Sequence, residues 1–196
     1  MDSSNSIYFD LGFDHIFNKA AIDHILFLVV LCALFTTKDL RKLLVLITAF
    51  TIGHSVTLAL AGLDIIRINT RLVEILIPVT IMLTAIFNFY TIYKSKKDEL
   101  IIHNGIHFIM ALSFGFIHGM GFSNYLRSTL FPGDSLVSQL LLFNIGIELG
   151  QILIVCIILT FGFIFTSILK IKMNHWVFTL SGLAFAVSLY LLISQL

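Results

Sequence analysis

Long apolar stretches alternate with short polar ones along almost the whole chain. Six stretches, at roughly 20–37, 40–62, 71–94, 101–122, 137–166 and 174–195, each approach or exceed the 20 or so residues that cross a bilayer. The polar punctuation between them is brief: TKDLRK, LDIIRINTR, KSKKDE, RSTLFPGD and KIKMN. The pattern predicts an all-α fold. It is a polytopic helix bundle of about six transmembrane helices, with residues 1–196 as a single transmembrane domain. Residues 7–18 are too few to cross. They are expected to form an interfacial or re-entrant segment with Tyr8, Phe9, Phe13, Ile16 and Phe17 facing lipid or protein.

Composition agrees with a membrane protein. The chain is 58% hydrophobic and 12% charged, far from the near-even apolar content and one-quarter charge of soluble domains. A net charge of +1 supplies no basic field for nucleic acid. No P-loop spacing occurs, so no nucleotide is expected. Cys32 and Cys156 both lie in apolar runs and read as small buried hydrophobes. The acidic N-terminus lacks the basic segment of a signal peptide.

Lys and Arg are unevenly placed. Lys38, Arg41, Lys42, Lys94, Lys96, Lys97, Lys170 and Lys172 fall in the first, third and fifth loops. The other segments outside the spans hold only Lys19, Arg67, Arg71 and Arg127. The positive-inside rule then puts both termini outside, on the periplasmic side of a bacterial inner membrane.

Several polar residues sit inside the spans, where a charge costs about 2.5–3.5 kcal/mol on insertion scales. They are Asp23 and His24, His54 and Ser55, His118, and Asn144, Glu148 and Gln151. At about 1.5 Å per residue, His24 and His118 lie about 6 Å from the outer ends of their helices, His54 about 12 Å and Glu148 about 16 Å. Alternating helix directions therefore bring four polar groups from four helices into one half of the bilayer. Imidazole nitrogen and carboxylate oxygen together suit a divalent transition metal such as Zn, Ni, Co or Fe(II). Asp23 adjoins His24, so the two side chains diverge by about 100° around the helix. Asp23 is expected to hold the free N–H of a neighbouring histidine.

Around these lie two polar stripes: Asn144, Glu148 and Gln151 on the fifth span, and Thr48, Thr51 and Ser55 on the second. Gly115 with Gly119, and Gly146 with Gly150, form GxxxG pairs that let backbones approach. His103 and His107 are at metal-pair spacing but near the cytoplasmic end, and are expected to be solvated or interfacial. Glu74 falls at a rim or in the site.

Four ordered motifs, DHILFL, TAFTIGHSVTLAL, FGFIHGMGF and FNIGIELGQ, make the chain resemble the HupE/UreJ family from about Gly12 to beyond Gln151. Those membrane proteins are linked to hydrogenase and urease accessory functions. The resemblance implies nickel or cobalt permeation, with His15, Asp23, His24, His54, His118 and Glu148 handling the metal. Two departures mark a divergent branch. Seven residues separate His15 from Asp23, more than the family spacing, and the third motif carries only His118.

Two functions follow. One is a permease whose cargo is Ni, Co or Zn, embedded in membrane lipid. The other is a membrane-embedded metal-dependent hydrolase, with Asp23 or Glu148 as general base to a metal-activated water. A polar line through Asn88, His103, Asn104 and His107 is expected of a permease, and a sealed floor of an enzyme. A third, weaker reading is an assembly partner with dispensable histidines.

Overall fold

The computed structural model describes residues 3–18, 22–67, 69–95, 104–129 and 135–195. They form seven α-helices: α1 (Ser3–Phe17), α2 (Ile22–Cys32), α3 (Leu40–Gly62), α4 (Thr70–Lys94), α5 (Asn104–Thr129), α6 (Leu136–Phe163) and α7 (Met173–Ser194). No strand occurs among the described residues. Among the described residues, five helices are long and apolar enough to cross a membrane, and α1 with α2 forms a bent pair that together is apolar enough for a broken span or a re-entrant loop. The fold is thus an all-α membrane bundle. Side chains such as Val137, Leu183, Phe178 and Tyr190 stay exposed as its apolar belt.

Local chemistry sets the helix ends. Asn69 caps α4 by accepting the Arg71 backbone N–H at 3.0 Å. Between α2 and α3, the Thr36 backbone N–H and hydroxyl both donate to Asp39 Oδ2, at 3.2 and 2.9 Å. That turn stops α2 at Cys32. Eleven residues reach only about 16 Å, too short to cross alone. The expected single helix at 20–37 is instead α2 preceded by α1, with the two axes 68° apart.

The N-terminal segment packs on protein. Tyr8 and Ile16 are buried, and α1 lies along α6. Glycines cause this closeness. A Cβ added to Gly12 would collide with the Phe143 carbonyl, and one on Gly146 with the Phe9 carbonyl. The α3–α5 pair uses the same device. A Cβ on Gly115 would strike the Phe50 carbonyl, and one on Gly119 would strike the His54 backbone and the Thr57 hydroxyl. Both GxxxG pairs are therefore crossing points. Helix α4 lies along α7, and α2 fits among α4, α6 and α7.

The fourth apolar span ends at Phe122 as expected, and the helix that carries it, α5, continues past the span to Thr129. Polar residues do not themselves end a helix, and the next proline is Pro132. His118 therefore lies four residues, about 6 Å, from the end of the span but eleven residues, about 16 Å, from the end of α5.

Candidate metal centre

The break between α1 and α2 is where polar groups gather. Asp23 occupies the first turn of α2, where the helix dipole favours a negative charge. Its Oδ1 accepts the His24 backbone N–H at 3.0 Å and lies 3.1 Å from His24 Nδ1. Its other oxygen lies 3.9 Å from His118 Nδ1 on α5. One carboxylate thus stands between two imidazoles. A proton on His24 Nδ1 shared with Asp23 leaves Nε2 as a lone-pair donor facing away. Asp23, His24 and His118 each offer a ligand atom within 4.8 Å of the others. Small side-chain rotations would bring the three to the mutual spacing of about 3–4 Å around one ion.

Two more histidines complete the cluster. The His54 ring, from α3, is centred 5.9 Å from that of His24, and the His15 ring, from the last turn of α1, 4.9 Å. The His24 and His118 centroids are 5.0 Å apart. The 68° bend brings His15 here despite its longer spacing from Asp23. Within this cluster, six buried ring nitrogens have no hydrogen-bond partner among the described residues: His15 Nε2, His24 Nε2, and both nitrogens of His54 and His118. Each such group costs about 1–3 kcal/mol when buried and unsatisfied. So many at one point fit a group that binds something.

Other residues singled out in the sequence fall elsewhere. Glu148 stands outside the converging set; its Oε1 accepts the Thr48 hydroxyl at 2.6 Å across the α3–α6 contact. Thr51 donates to Gln151 Oε1 at 3.0 Å, bracing the same two helices one turn on. Ser55 and Asn144 turn back on their own helices, donating to the Thr51 and Leu140 carbonyls. His107 is buried, not solvated, between the rings of Phe35 and Phe87 at 5.6 and 5.3 Å. The segment that follows α2 and the face of α4 cover it. His103 lies outside the described residues.

The surroundings hold features the sequence reading missed. Each of three site histidines has a phenylalanine one turn further inward: Phe27 below His24, Phe50 below His54, Phe114 below His118. These rings touch, with Phe27 centred 5.1 Å from Phe50 and 5.4 Å from Phe114. They form an apolar floor. The signal was present as His/Phe pairs at spacings of three or four. On the other side is a cleft of ≈ 550 Å³ whose walls include Asp14, Asp23, His24, Glu74, His118 and Phe122. Glu74 is therefore at the rim. The start of α4 and the end of α7 also line this cleft, so it reaches the site from the side that holds both.

A bundle of membrane helices around an internal His/Asp cluster defines a class: an integral membrane protein with a candidate intramembrane metal site. The chain matches the HupE / UreJ protein family over residues 2–195 and belongs to that family. The family is associated with nickel and cobalt transport or accessory roles. No curated protein and no solved structure matches the chain.

Proposed function

We propose that this protein is a permease for a divalent transition metal (Ni, Co or Zn) in a bacterial inner membrane, with both termini on the periplasmic side. The cargo is held by His24, His54, His118 and Asp23, with His15 closing over it from α1. The observation that carries this reading is the set of six unpartnered imidazole nitrogens around one carboxylate. Neutral imidazole and a single carboxylate match the ligand preferences of these metals. The cleft bearing Asp14 and Glu74 offers cations access. Vesicles carrying the wild-type protein are expected to take up Ni, Co or Zn, and His54→Ala to abolish uptake. Equal uptake by the two would end this reading, and would favour an assembly role in which the histidines are dispensable.

The aromatic floor supports a second reading, a metal-dependent hydrolase. A site closed below and open to a cleft can activate water and exclude the rest of the solvent. Asp23 would act there as general base. Metal-dependent cleavage of a lipid or peptide, without uptake, would select this reading over the first.

Glu148 has a separable role in both. Glu148→Gln keeps a partner for Thr48 and leaves the histidine cluster untouched. The variant is expected to retain the full metal stoichiometry, with affinity within about threefold of wild type. Loss of the metal, followed by elemental analysis of purified protein, would return Glu148 to the ligand set.

A further inference from the structure

The floor of Phe27, Phe50 and Phe114 blocks the direct way inward, so a cargo must leave by another side. The cleft points to one. Its walls include Ile77 and Pro78 of α4, Leu191 of α7 and Gln195 just past the end of α7. The same two helix faces continue inward as a buried polar strip: Thr80, Thr84, Asn88 and Thr91 on α4, Ser188 and Ser181 on α7. The spacings of three, four and seven keep each set on one face of its helix. From Ile77 to Thr91 the strip covers fourteen residues, about 21 Å, and ends one turn before Lys94.

The chemistry of the strip is one-sided. Thr80, Thr84 and Thr91 spend their hydroxyl protons on the carbonyls of Ile77, Thr80 and Phe87 in their own helix. Their oxygens are left with lone pairs only. Asn88 spends its amide N–H groups on the Val30 carbonyl and the Ser181 hydroxyl, at 2.8 and 3.0 Å. Its Oδ1, like Ser188 Oγ, is buried and without a partner among the described residues. On the α4 side this is a file of acceptors, and the Ser181 and Ser188 hydroxyls opposite can turn their protons away; such a file suits a cation. Neutral oxygens hold a transition metal more weakly than imidazole does, which suits passage more than storage.

We propose that the α4–α7 seam is the inward route of the divalent cation, with the acceptor oxygens of Thr80, Thr84, Asn88 and Thr91 as successive stations below the histidine site. This rests on the permease reading and names its path. The seam is closed in this structure, since Thr84, Ser181 and Ser188 are fully buried. It also lacks a glycine lock among the described residues. The α1–α6 and α3–α5 pairs are locked by glycine crossings, whereas Gly182 on α7 meets nothing that a Cβ would touch. Pro78 removes one rung of α4's hydrogen bonding between cleft and strip, which makes that point the natural bend.

The test uses purified protein in sealed vesicles, reading initial Ni, Co or Zn uptake beside the metal affinity of the same preparations. Thr84→Val keeps the shape and removes the oxygen; Thr84→Ser keeps the oxygen. Thr84→Val is expected to lower uptake at least tenfold with unchanged metal affinity, and Thr84→Ser to retain more than half. A purely packing role would leave the valine variant as active as wild type, and that result overturns the route. Should Thr84→Val lose metal binding too, Thr91→Val at the inner end takes its place, and normal uptake by it overturns the route equally. Wild-type uptake with normal valine variants defeats the path alone; no uptake by wild type defeats the permease reading and the path together.

Discussion

Purified protein carrying His118→Ala is expected to lose its metal while remaining folded. His118 is buried on α5, with Asp23 Oδ2 3.9 Å from its Nδ1 and Nε2 free to bind. Removing it takes away one of three ligand atoms that converge within 4.8 Å. Loss of groups that merely orient a ligand already costs about 10–100-fold in affinity. Loss of the ligand itself should exceed that, so the variant should purify with almost no metal where wild type carries about one ion. The fold should survive, because the substitution removes an unsatisfied polar ring and leaves the Gly115 and Gly119 crossings intact. Elemental analysis with circular dichroism measures both. Equal metal in the two proteins, or none in either, would remove the basis of the proposed site.

Gly115→Ala should have the largest effect on stability. Its new methyl group would fall on the Phe50 backbone carbonyl, not on a side chain that can rotate away. Overpacking typically costs about 1–3 kcal/mol, and backbone cannot relax as side chains do, so the cost here should lie at or above about 3 kcal/mol. Helices α3 and α5 would have to separate, moving His54 from His118. The variant is expected to unfold well below wild type in a thermal scan in detergent and to bind metal weakly. Gly182→Ala, with nothing within contact of the added carbon, is the control and should unfold at or slightly above the wild-type temperature, since Ala favours a helix over Gly. Similar unfolding temperatures for the Gly115 variant and the control would contradict the crossing geometry.

These predictions draw on different layers of information. Hydropathy alone located five of the six expected spans, and α3 falls on residues 40–62 as the pattern indicates. The GxxxG pairs were legible because small residues at that spacing have few other uses in a membrane helix. The ends of helices were less so. The polar stretch after Phe122 looked like a loop, but hydropathy reports the solvent of a segment and not its backbone, and α5 runs through it.

The site divides in the same way. Asp23, His24, His54 and His118 could be found from sequence because an ionisable group inside an apolar run is costly and demands a reason. Depth along a helix axis follows from residue number, and it grouped these residues with Glu148. Direction around the axis depends on which helices are neighbours. Glu148 shares the depth range but faces Thr48, while His15, with seven residues between it and Asp23, arrives through the bend. His107 looked like a terminal histidine and is roofed by Phe35 and Phe87.

By itself, then, the sequence determined a membrane bundle, its helices, its tight crossings and the residues able to bind a metal, because the bilayer taxes every buried polar group wherever it occurs. Only the tertiary structure decided which of those residues meet, that a phenylalanine lies beneath each of three histidines, and that an acceptor-lined seam leads away between α4 and α7. Those facts depend on helix azimuth and neighbour choice, which are set by glycine contacts between segments far apart in sequence, such as Gly146 with Phe9.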